Sequence, residues 1–338
     1  MISTRTGSGA GPISGYIAQG RRLSRFLNLY SYRKNTLLPS LLGTQPTDAS
    51  DDVQSVRWSN GGTFLVLSTF VGLRAFSRTG AAFTSLTIPS NFNTTGGDAA
   101  ISADGSYIAS VGINSPYARI WFNNAGTLSA LTNIGTVDTV TRAVALTSDG
   151  SHAAFLVGAS PTFLRIKARS GSGNSAVYAD MTLASQPASG ASGSSFIGGL
   201  AFSPDNNYLA VCPATATNQT IYKWDAATST YQKLAAPFVG ALPDNAVYGC
   251  AWSADGNSLA IATYAKTFFY ERSGDAFTSV FNVTGGYRGN FHPSGNFYVC
   301  GSGQIYRKAS ASSWTLTTTI FQTTTSYNYA TAFSPYIL

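Results

Sequence analysis

Four aspartates that come shortly before apolar runs are the first candidates for chemistry in this chain: Asp52, Asp98, Asp138 and Asp244. Carboxylates that converge on one point bind a cation or a polar ligand, or act as general acid and base. No histidine or glutamate lies beside these four in the sequence, so a catalytic or metal role is the minority interpretation. Solvated loop acids are the alternative.

Basic residues form the second group, because 21 Lys and Arg against 14 Asp and Glu give a net charge of +7. The densest cluster contains Arg21, Arg22, Arg25, Arg33 and Lys34. A continuous basic track would favour nucleic acid. The strand order inferred below places the two arginines at 21 and 22 on one face and the later pair on the other. We therefore expect solubilising charge, with a patch at Arg21 and Arg22 for an acidic protein as the alternative.

Sequence motifs for cofactors and metals are absent. There is no Asp-x-Asp-x-Asp loop, glycine-rich phosphate loop, nucleophile elbow or Cys/His metal set, so no cofactor is predicted. Cys212, Cys250 and Cys300 form no CxxC pair, which favours buried thiols made in a reducing cytoplasm. The N-terminus lacks the apolar core of a signal peptide, and no apolar run reaches the roughly 18 residues of a membrane helix.

A repeated motif positions these candidates. It consists of an apolar residue, Ser, any residue, Asp and Gly, then an apolar pair and a small residue. The clearest copies are ISADGSYIA from Ile101, FSPDNNYLA from Phe202 and WSADGNSLA from Trp252. Weaker copies begin at Trp58, Leu146 and Phe291, and a fragment begins at Phe333. Consecutive copies lie 39 to 56 residues apart, which is the period of a propeller blade of four strands.

Each unit predicts four antiparallel strands, called a to d: strand a ends at the Ser, an Asp-Gly turn leads to strand b, and strand c carries an aromatic residue. Six units are complete, and the seventh stops in its strand a. Its other strands match the N-terminus, with b at 15–20, c at 25–32 and d at 35–42. The prediction is an all-β, seven-bladed propeller in which the C-terminal strand a joins N-terminal strands b, c and d and leaves no open edge.

The predicted domain organisation follows from this closure. Residues 1–12 form a short arm and 13–338 a single propeller domain, with blade 7 made of about 13–42 plus 327–338. The Phe-Ser-Pro-Asp, Leu-Ala and Trp-Asp rhythm resembles WD40-type propellers from about Ile13 onward. A single Trp-Asp dipeptide occurs, at Trp224, and no Gly-His precedes a strand a, so the chain resembles a divergent member without the usual His-Ser-Asp-Trp network.

Antiparallel order decides which loops share a face, with d–a and b–c loops on one side and a–b and c–d loops on the other. An Asp followed by Gly or Asn in an a–b turn favours the turn geometry, so we expect a structural role for these acids. They are Asp104, Asp149, Asp205 and Asp255. The four aspartates of the opening paragraph instead ring one mouth of the channel. Tyrosines near that mouth either stack on a sugar or pack between blades: Tyr117, Tyr248, Tyr264 and Tyr287.

Function is not decided by the fold, because propellers serve as enzymes, lectins and scaffolds. Only 10% of residues are charged, and no catalytic set is recognised. This composition resembles propeller-containing structural proteins of tailed bacteriophages. We therefore expect a non-enzymatic virion protein of the tail or capsid surface, made in the host cytoplasm, that binds other virion proteins in many copies per particle. The alternatives are a carbohydrate-binding module for a cell-surface glycan and a propeller hydrolase or lyase.

Overall fold

A computed structural model describes residues 15–21, 26–32, 40–46, 53–80, 82–89, 97–135, 137, 139–158, 161–190, 198–213, 218–243, 246–310, 313–320 and 328–333. Almost all regular structure in these segments is short β-strand, with one 3₁₀ turn at Gly173–Ser175. Runs of β-branched and aromatic residues separated by Gly, Asn and Ser favour strands and turns, which explains this content.

The strands begin with β1 (Gly15–Arg21), β2 (Phe26–Tyr32) and β3 (Ser40–Pro46). Blade 1 contains β4 (Val53–Trp58), β5 (Phe64–Thr69), β6 (Leu73–Thr79) and β7 (Ala82–Ser85). Blade 2 contains β8 (Ala99–Ile101), β9 (Tyr107–Val111), β10 (Ala118–Asn124) and β11 (Thr127–Ala130). Blade 3 contains β12 (Thr141–Leu146), β13 (His152–Val157), β14 (Leu164–Ser170) and β15 (Val177–Asp180).

Blade 4 contains β16 (Gly199–Phe202), β17 (Tyr208–Cys212), β18 (Thr220–Asp225) and β19 (Thr230–Lys233). Blade 5 contains β20 (Phe238–Val239), β21 (Val247–Trp252), β22 (Ser258–Thr263), β23 (Lys266–Ser273) and β24 (Ala276–Thr284). Blade 6 contains β25 (Asn290–Phe291), β26 (Phe297–Val299), β27 (Gln304–Ser310) and β28 (Ser313–Thr319). The final strand is β29 (Asn328–Phe333).

The predicted all-β architecture of four-stranded antiparallel blades is confirmed, with a WD40-like strand order. Blade 5 differs from the others because β20 adds a fifth strand, parallel to β24. Blades 1 to 6 are the six consecutive sheets, so the predicted count of seven depends on the sheet that joins the chain ends. The division into an arm, 1–12, and one domain, 13–338, stays a prediction, and the arm lies outside the described residues.

The terminal sheet has the order β29-β1-β2-β3, with Ala18 opposite Ala332. Its strands b and c correspond to the predicted 15–20 and 25–32. The predicted strand d at 35–42 is wrong in its bounds, since the strand found is β3, at Ser40–Pro46. The part of the predicted strand at 35–39 lies outside the described residues.

The a–b turns follow the sequence motif closely. The turn glycine has a positive φ in five blades, at Gly62, Gly105, Gly150, Gly256 and Gly295, and Asn206 takes this conformation in blade 4. Within blade 2 the Ser102 hydroxyl donates to the Asp104 carboxylate (2.6 Å) and accepts the N–H of Tyr107 (2.9 Å). The Ser-x-Asp-Gly pattern is therefore a turn motif held by its own side chains.

The hydrophobic core lies between neighbouring sheets. Strands b are buried on both faces, as in β9 and β17, so each presents apolar side chains to the sheet before it and the sheet after it. One cluster, for example, joins Val157 of blade 3 and Ile120 of blade 2, and another joins Val211 of blade 4 and Leu156 of blade 3. Burial of these side chains, about 25 cal/mol per Å², holds the blades together.

Arginines of blades 1, 3 and 5 each pair with a tyrosine of the neighbouring sheet. In each pair the arginine Nε donates to the glycine carbonyl of its own a–b turn, and the guanidinium lies over a tyrosine of the preceding sheet. The distances to the ring centroid are 5.0, 4.4 and 4.9 Å for Arg78 over Tyr16, Arg169 over Tyr107 and Arg272 over Tyr208. These cation–π contacts link neighbouring sheets at the a–b face.

Candidate functional site in the central channel

The innermost strands enclose a cavity of about 460 Å³. It lies where strands a run into the a–b turns, because its wall includes turn residues such as Ser148, Pro204 and Pro293. This size is within the range of small-molecule sites. The cavity thus lies toward the face opposite the mouth that the sequence predicted for the aspartate ring.

Two equivalent positions of each strand a build most of the wall. The last strand residue contributes a large apolar side chain: Trp58, Ile101, Leu146, Phe202, Trp252, Phe291 and Phe333. The preceding residue is alanine in blades 2 to 5: Ala100, Ala145, Ala201 and Ala251. The small alanine side chains leave space in the channel, and the large apolar side chains at the strand ends surround that space.

Two blades carry polar residues where the others have alanine. These residues are Arg57 in blade 1 and Asn290 in blade 6, which face Val66 and Val299 of their strands b. Strand β29 contacts both β4 and β25, so the two polar side chains come from the same side of the channel. The cavity is therefore lined by both polar and apolar groups, since Asn60, Ser148, Ser203 and His292 also lie in its wall.

Both polar residues offer hydrogen-bond donors. The Asn290 amide oxygen accepts the N–H of Phe291 (2.8 Å), which leaves the NH₂ group for a ligand. The Arg57 side chain is 22% exposed, donates from Nη1 to the Val56 carbonyl (3.0 Å), and has Nη2 at 3.9 Å from the Asp98 carboxylate. Each side chain can donate to an acceptor oxygen of a ligand in the cavity.

A buried ion pair supports Arg57. The Asp98 carboxylate pairs with Arg288, and their side chains are 1% and 3% exposed. Arg288 reaches across the sheets, since its Nε donates to the Tyr248 carbonyl (2.9 Å) and its Nη2 to the Gly198 carbonyl (3.3 Å). One carboxylate thus faces two guanidinium groups, and a positive charge remains next to the cavity.

Arg288 is held in place by local packing. At Gly249 a Cβ atom would lie 2.8 Å from the Cγ of Arg288, so glycine leaves the space for that side chain. Burial lowers the pKa of Arg288, while the Asp98 carboxylate opposes this shift. Burial also lowers the pKa of Arg142 in blade 3. Because arginine starts from a pKa above 12, these groups stay cationic at neutral pH.

Among the predicted site residues, Asp98 is the aspartate that the structure describes. Its carboxylate is buried against Arg288, so it does not form an open cation site. Asp52, Asp138, Asp244 and Arg22 lie outside the described residues, and Arg21 is the last residue of β1. A ligand or partner role for these residues stays a prediction.

Sequence reasoning missed Arg57, Asn290 and Arg288. A signal was available for the first two, because the repeats align on the residue before the large side chain that ends strand a. That residue is alanine in five repeats, Arg57 in blade 1 and Asn290 in blade 6. The Arg288 contacts join four sheets and leave no trace in any one repeat.

Three of the predicted tyrosines lie together between blades 5 and 6. Tyr248 and Tyr264 each contact Tyr287 edge to face, at centroid distances of 5.2 and 5.4 Å. Tyr248 and Tyr287 are buried, whereas Tyr264 is 49% exposed. Tyr248 and Tyr287 therefore pack between blades, which is one of the two predicted roles. Of the three, only Tyr264 presents a large exposed surface.

The a–b turns close to the cavity keep their carboxylates ionised. Burial raises the pKa of Asp205, but hydrogen bonds from the Ser203 hydroxyl and the Asn207 N–H outweigh burial and lower it overall. The same balance lowers the pKa of Asp104, Asp149 and Asp255. These shifts support the structural interpretation of the turn acids.

His292 occupies the turn-serine position in blade 6 and lines the cavity. Its Nδ1 accepts the N–H of Ser294 (3.0 Å) and lies 2.8 Å from the Ser294 hydroxyl. Because Nδ1 accepts this N–H, the proton of a neutral imidazole lies on Nε2. The ring also packs edge to face against Phe297 and Phe333, at 5.8 and 5.1 Å.

Other site types find no support in the described part of the chain. No group of three or more His, Cys, Asp or Glu side chains there is arranged to hold a metal. No helix in the same residues has the length and apolar character to cross a membrane. Cys212, Cys250 and Cys300 are buried free thiols, as the sequence predicted.

Comparison of the sequence with protein families gives a match to the WD domain, G-beta repeat, over residues 186–225. This match confirms the predicted WD40-like character for the unit that contains Trp224 and Asp225. A search among curated proteins finds no match.

Solved structures resemble the chain over nearly its full length. A proposed 6-phosphogluconolactonase of Bacteroides uniformis has 12% identity and a TM-score of 0.70, over 95% of this chain and 100% of that one. One from Bacteroides fragilis has 13% identity and 0.68, over 97% and 99%. The periplasmic gluconolactonase of Pseudomonas aeruginosa has 12% identity and 0.63, over 95% and 99%. At these identities the likeness shows the fold alone.

The prediction of a non-enzymatic virion scaffold is contradicted by this comparison, because the named neighbours are lactonases and none of these three is a virion protein. The low charge and the abundance of small polar residues that favoured a virion protein suit short strands and tight turns. They therefore reflect the propeller and do not identify a phage particle. The predicted partners, which are other virion proteins, and the predicted location in the virion stay predictions.

Proposed function

We propose that this protein is a propeller hydrolase that opens a lactone ring, with the channel cavity as its substrate site. The observation that carries the proposal is the presence of two donors, Arg57 and Asn290, in the wall of the channel cavity at positions where five other repeats have alanine. The names of the lactonases with the same fold support the choice of reaction. The proposal replaces the scaffold expected from composition.

The donors suit the chemistry of lactone hydrolysis. Water attacks the carbonyl carbon, the carbonyl oxygen becomes an oxyanion, and the ring C–O bond then breaks. The attacking water gives up one proton, the departing alkoxide takes up one proton, and the product is a hydroxy acid. Arg57 and Asn290 would donate hydrogen bonds to the oxyanion, and removal of one such donor typically lowers kcat about 10²- to 10³-fold.

Asp98 acts in this proposal as a positioning residue for Arg57. Its carboxylate lies 3.9 Å from Nη2 of Arg57 and is itself fixed by Arg288 and by the N–H of Ala99 (2.9 Å). Because the Asp98 carboxylate is buried and hydrogen-bonded, it stays in place and limits the conformations of the Arg57 guanidinium. The donor would then be aligned before the substrate enters.

The test uses Arg57→Ala and Asn290→Ala, because alanine is the residue that five other repeats carry at this position. Hydrolysis of a panel of lactones is followed by base titration at constant pH, above the uncatalysed rate. We expect kcat/KM to fall about 10²- to 10³-fold in each variant, with an unchanged circular dichroism spectrum. Arg307→Ala, at an exposed position of β27, is the matched control. Activity of Arg57→Ala equal to that of the unmodified protein would refute the proposed site.

We also propose that the terminal sheet is a seventh blade that closes the ring. Its Ala18 and Ala332 share an apolar cluster with Val56 of blade 1, and its Ile17 and Phe333 share another with blade 6. The strand order β29-β1-β2-β3 supports the same arrangement. Under this proposal the two ends of the chain are paired with each other and leave no open sheet edge.

A further inference from the structure

We infer that the channel cavity binds the carboxylate product of the proposed reaction more tightly than the neutral lactone, so that hydroxy acids inhibit the enzyme by competing with its substrate. This inference rests on the proposed function, because it concerns the product of the same site. It applies to the carboxylate group and holds whether the rest of the ligand carries many hydroxyl groups or none.

The charge of the cavity wall is the first reason. Arg57 is the one Lys, Arg, Asp or Glu side chain among the described residues that line the cavity, and it is 22% exposed. A ligand can therefore reach its guanidinium, which is cationic at neutral pH. The neutral polar side chains of the wall, such as Asn60, Ser148 and Ser203, bring no charge that would cancel it.

Asp98 does not neutralise Arg57 completely, because the same carboxylate pairs with Arg288. That pair is buried, whereas Nη2 of Arg57 lies 3.9 Å from the Asp98 carboxylate. Burial lowers the pKa of Arg288, Asp98 opposes this shift, and the like charge of Arg57 adds to it. Two guanidinium groups therefore share one carboxylate and leave one net positive charge, which a ligand with one negative charge would balance.

The acids of the a–b turns do not supply this anion. Their carboxylates accept hydrogen bonds within their own turns, as Asp149 does from the N–H of Ser151 (2.9 Å) and Asp205 from the N–H of Asn207 (3.1 Å). None of the described residues in the cavity wall is a turn aspartate. We therefore expect the ligand to bring the balancing charge.

The product of lactone hydrolysis is such a ligand. Ring opening converts a neutral ester into a hydroxy acid, whose carboxyl group has a pKa of about 4 and releases its proton at neutral pH. The Arg57 guanidinium and the Asn290 NH₂ group can donate to the carboxylate oxygens, and charge-assisted hydrogen bonds are about twice as strong as neutral ones. The intact lactone offers only a neutral carbonyl oxygen to these donors. Steady turnover would then require a further reaction that consumes the carboxylate.

The experiment compares each hydroxy acid with its neutral amide, which has nearly the same shape and the same number of hydroxyl groups. The two pairs are 4-hydroxybutyrate with 4-hydroxybutanamide and gluconate with gluconamide, titrated by calorimetry at neutral pH and constant ionic strength. We expect the carboxylate of at least one pair to bind about tenfold more tightly than its amide. Equal affinities within both pairs, or no binding of any of the four compounds, would overturn the inference. Tighter binding of inorganic phosphate than of either carboxylate would overturn the assigned ligand class.

Two variants separate the charge of Arg57 from its hydrogen bonds. Arg57→Lys keeps the positive charge, and Arg57→Gln keeps an NH₂ donor without the charge. The preference for carboxylate over amide should persist in Arg57→Lys and fall to about one in Arg57→Gln. Arg307→Gln, at an exposed position of β27, is the matched control and should keep the preference. An unchanged preference in a folded Arg57→Gln protein would place the carboxylate elsewhere and contradict the inference.

Inhibition measurements distinguish failure of this inference from failure of the proposed reaction. For a lactone that is hydrolysed, the competitive Ki of its hydroxy acid should lie below the KM of the lactone. Turnover without this difference would overturn the inference and leave the hydrolase proposal standing. Carboxylate binding that depends on Arg57, without turnover of any lactone, would overturn the hydrolase and retain the carboxylate site. Neither binding nor turnover would overturn both.

Discussion

Loss of Arg288 should destabilise the fold strongly. The Arg288→Met substitution leaves the carboxylate of Asp98, 1% exposed, with Arg57 at 3.9 Å as its remaining cation. It also removes the donors to the carbonyl groups of Tyr248 and Gly198. Removing one partner of a buried ion pair costs about 3–5 kcal/mol. We expect the free energy of unfolding, from urea denaturation followed by tryptophan fluorescence, to decrease by about that amount.

The double variant separates the stranded charge from simple loss of packing. Asp98→Asn in the Arg288→Met background removes the unpaired negative charge, so it should recover about 1–3 kcal/mol relative to the single variant. Arg307→Met, on an exposed position, should stay within about 0.5 kcal/mol of the unmodified protein. Strictly additive losses for Asp98 and Arg288, or a stable Arg288→Met protein, would refute the coupling argued from the structure.

Three further predictions concern closure, blade contacts and pH. Deletion of 330–338 should give an insoluble protein, because it removes most of β29 from the terminal sheet; a soluble product with an unchanged Tm would contradict the closed ring. Tyr107→Phe removes the hydroxyl that accepts from Arg169 (2.7 Å) and from the Gly173 N–H (3.1 Å), and should lower the unfolding free energy by about 1–3 kcal/mol in urea. The lowered pKa of Asp205 means that its stabilisation is present above the unfolded value near 4 and is lost as pH falls through the folded value. The difference in urea midpoint between Ser203→Ala and the unmodified protein should therefore shrink between pH 6 and pH 2, and a constant difference would argue against this linkage.

The sequence predicted the blade architecture because the information is local. The Ser-x-Asp-Gly turn depends on contacts within a few residues, and the glycine conformation at Gly105 follows from the same stretch. The predicted end of the N-terminal strand d at 42 was wrong, because β3 continues to Pro46, where it still pairs with Phe26 of β2, and such pairing does not show in the strand's own sequence. The extra strand β20 pairs in parallel with β24 and has no counterpart in the repeat.

The site was predicted less well because it depends on contacts between distant blades. Asp98 was chosen for its position before a strand, and the structure shows it buried in an ion pair with Arg288. Its burial results from Arg288 in blade 6, whose path also requires the absence of a side chain at Gly249 in blade 5. A pattern that treats each repeat separately contains none of these relations, so an open carboxylate was expected where an ion pair exists.

The repeated architecture nevertheless shows why Arg57 points to function. Five repeats have alanine at its position, so the fold itself does not require a longer side chain there. An arginine adds a charge that must be kept close to water or paired, and it loses side-chain entropy when it is fixed. In the structure the buried carboxylate of Asp98 lies close to Arg57, and Arg288 in turn pairs with that carboxylate. A chain of compensating charges that begins at one cavity residue is best explained if a ligand uses that residue.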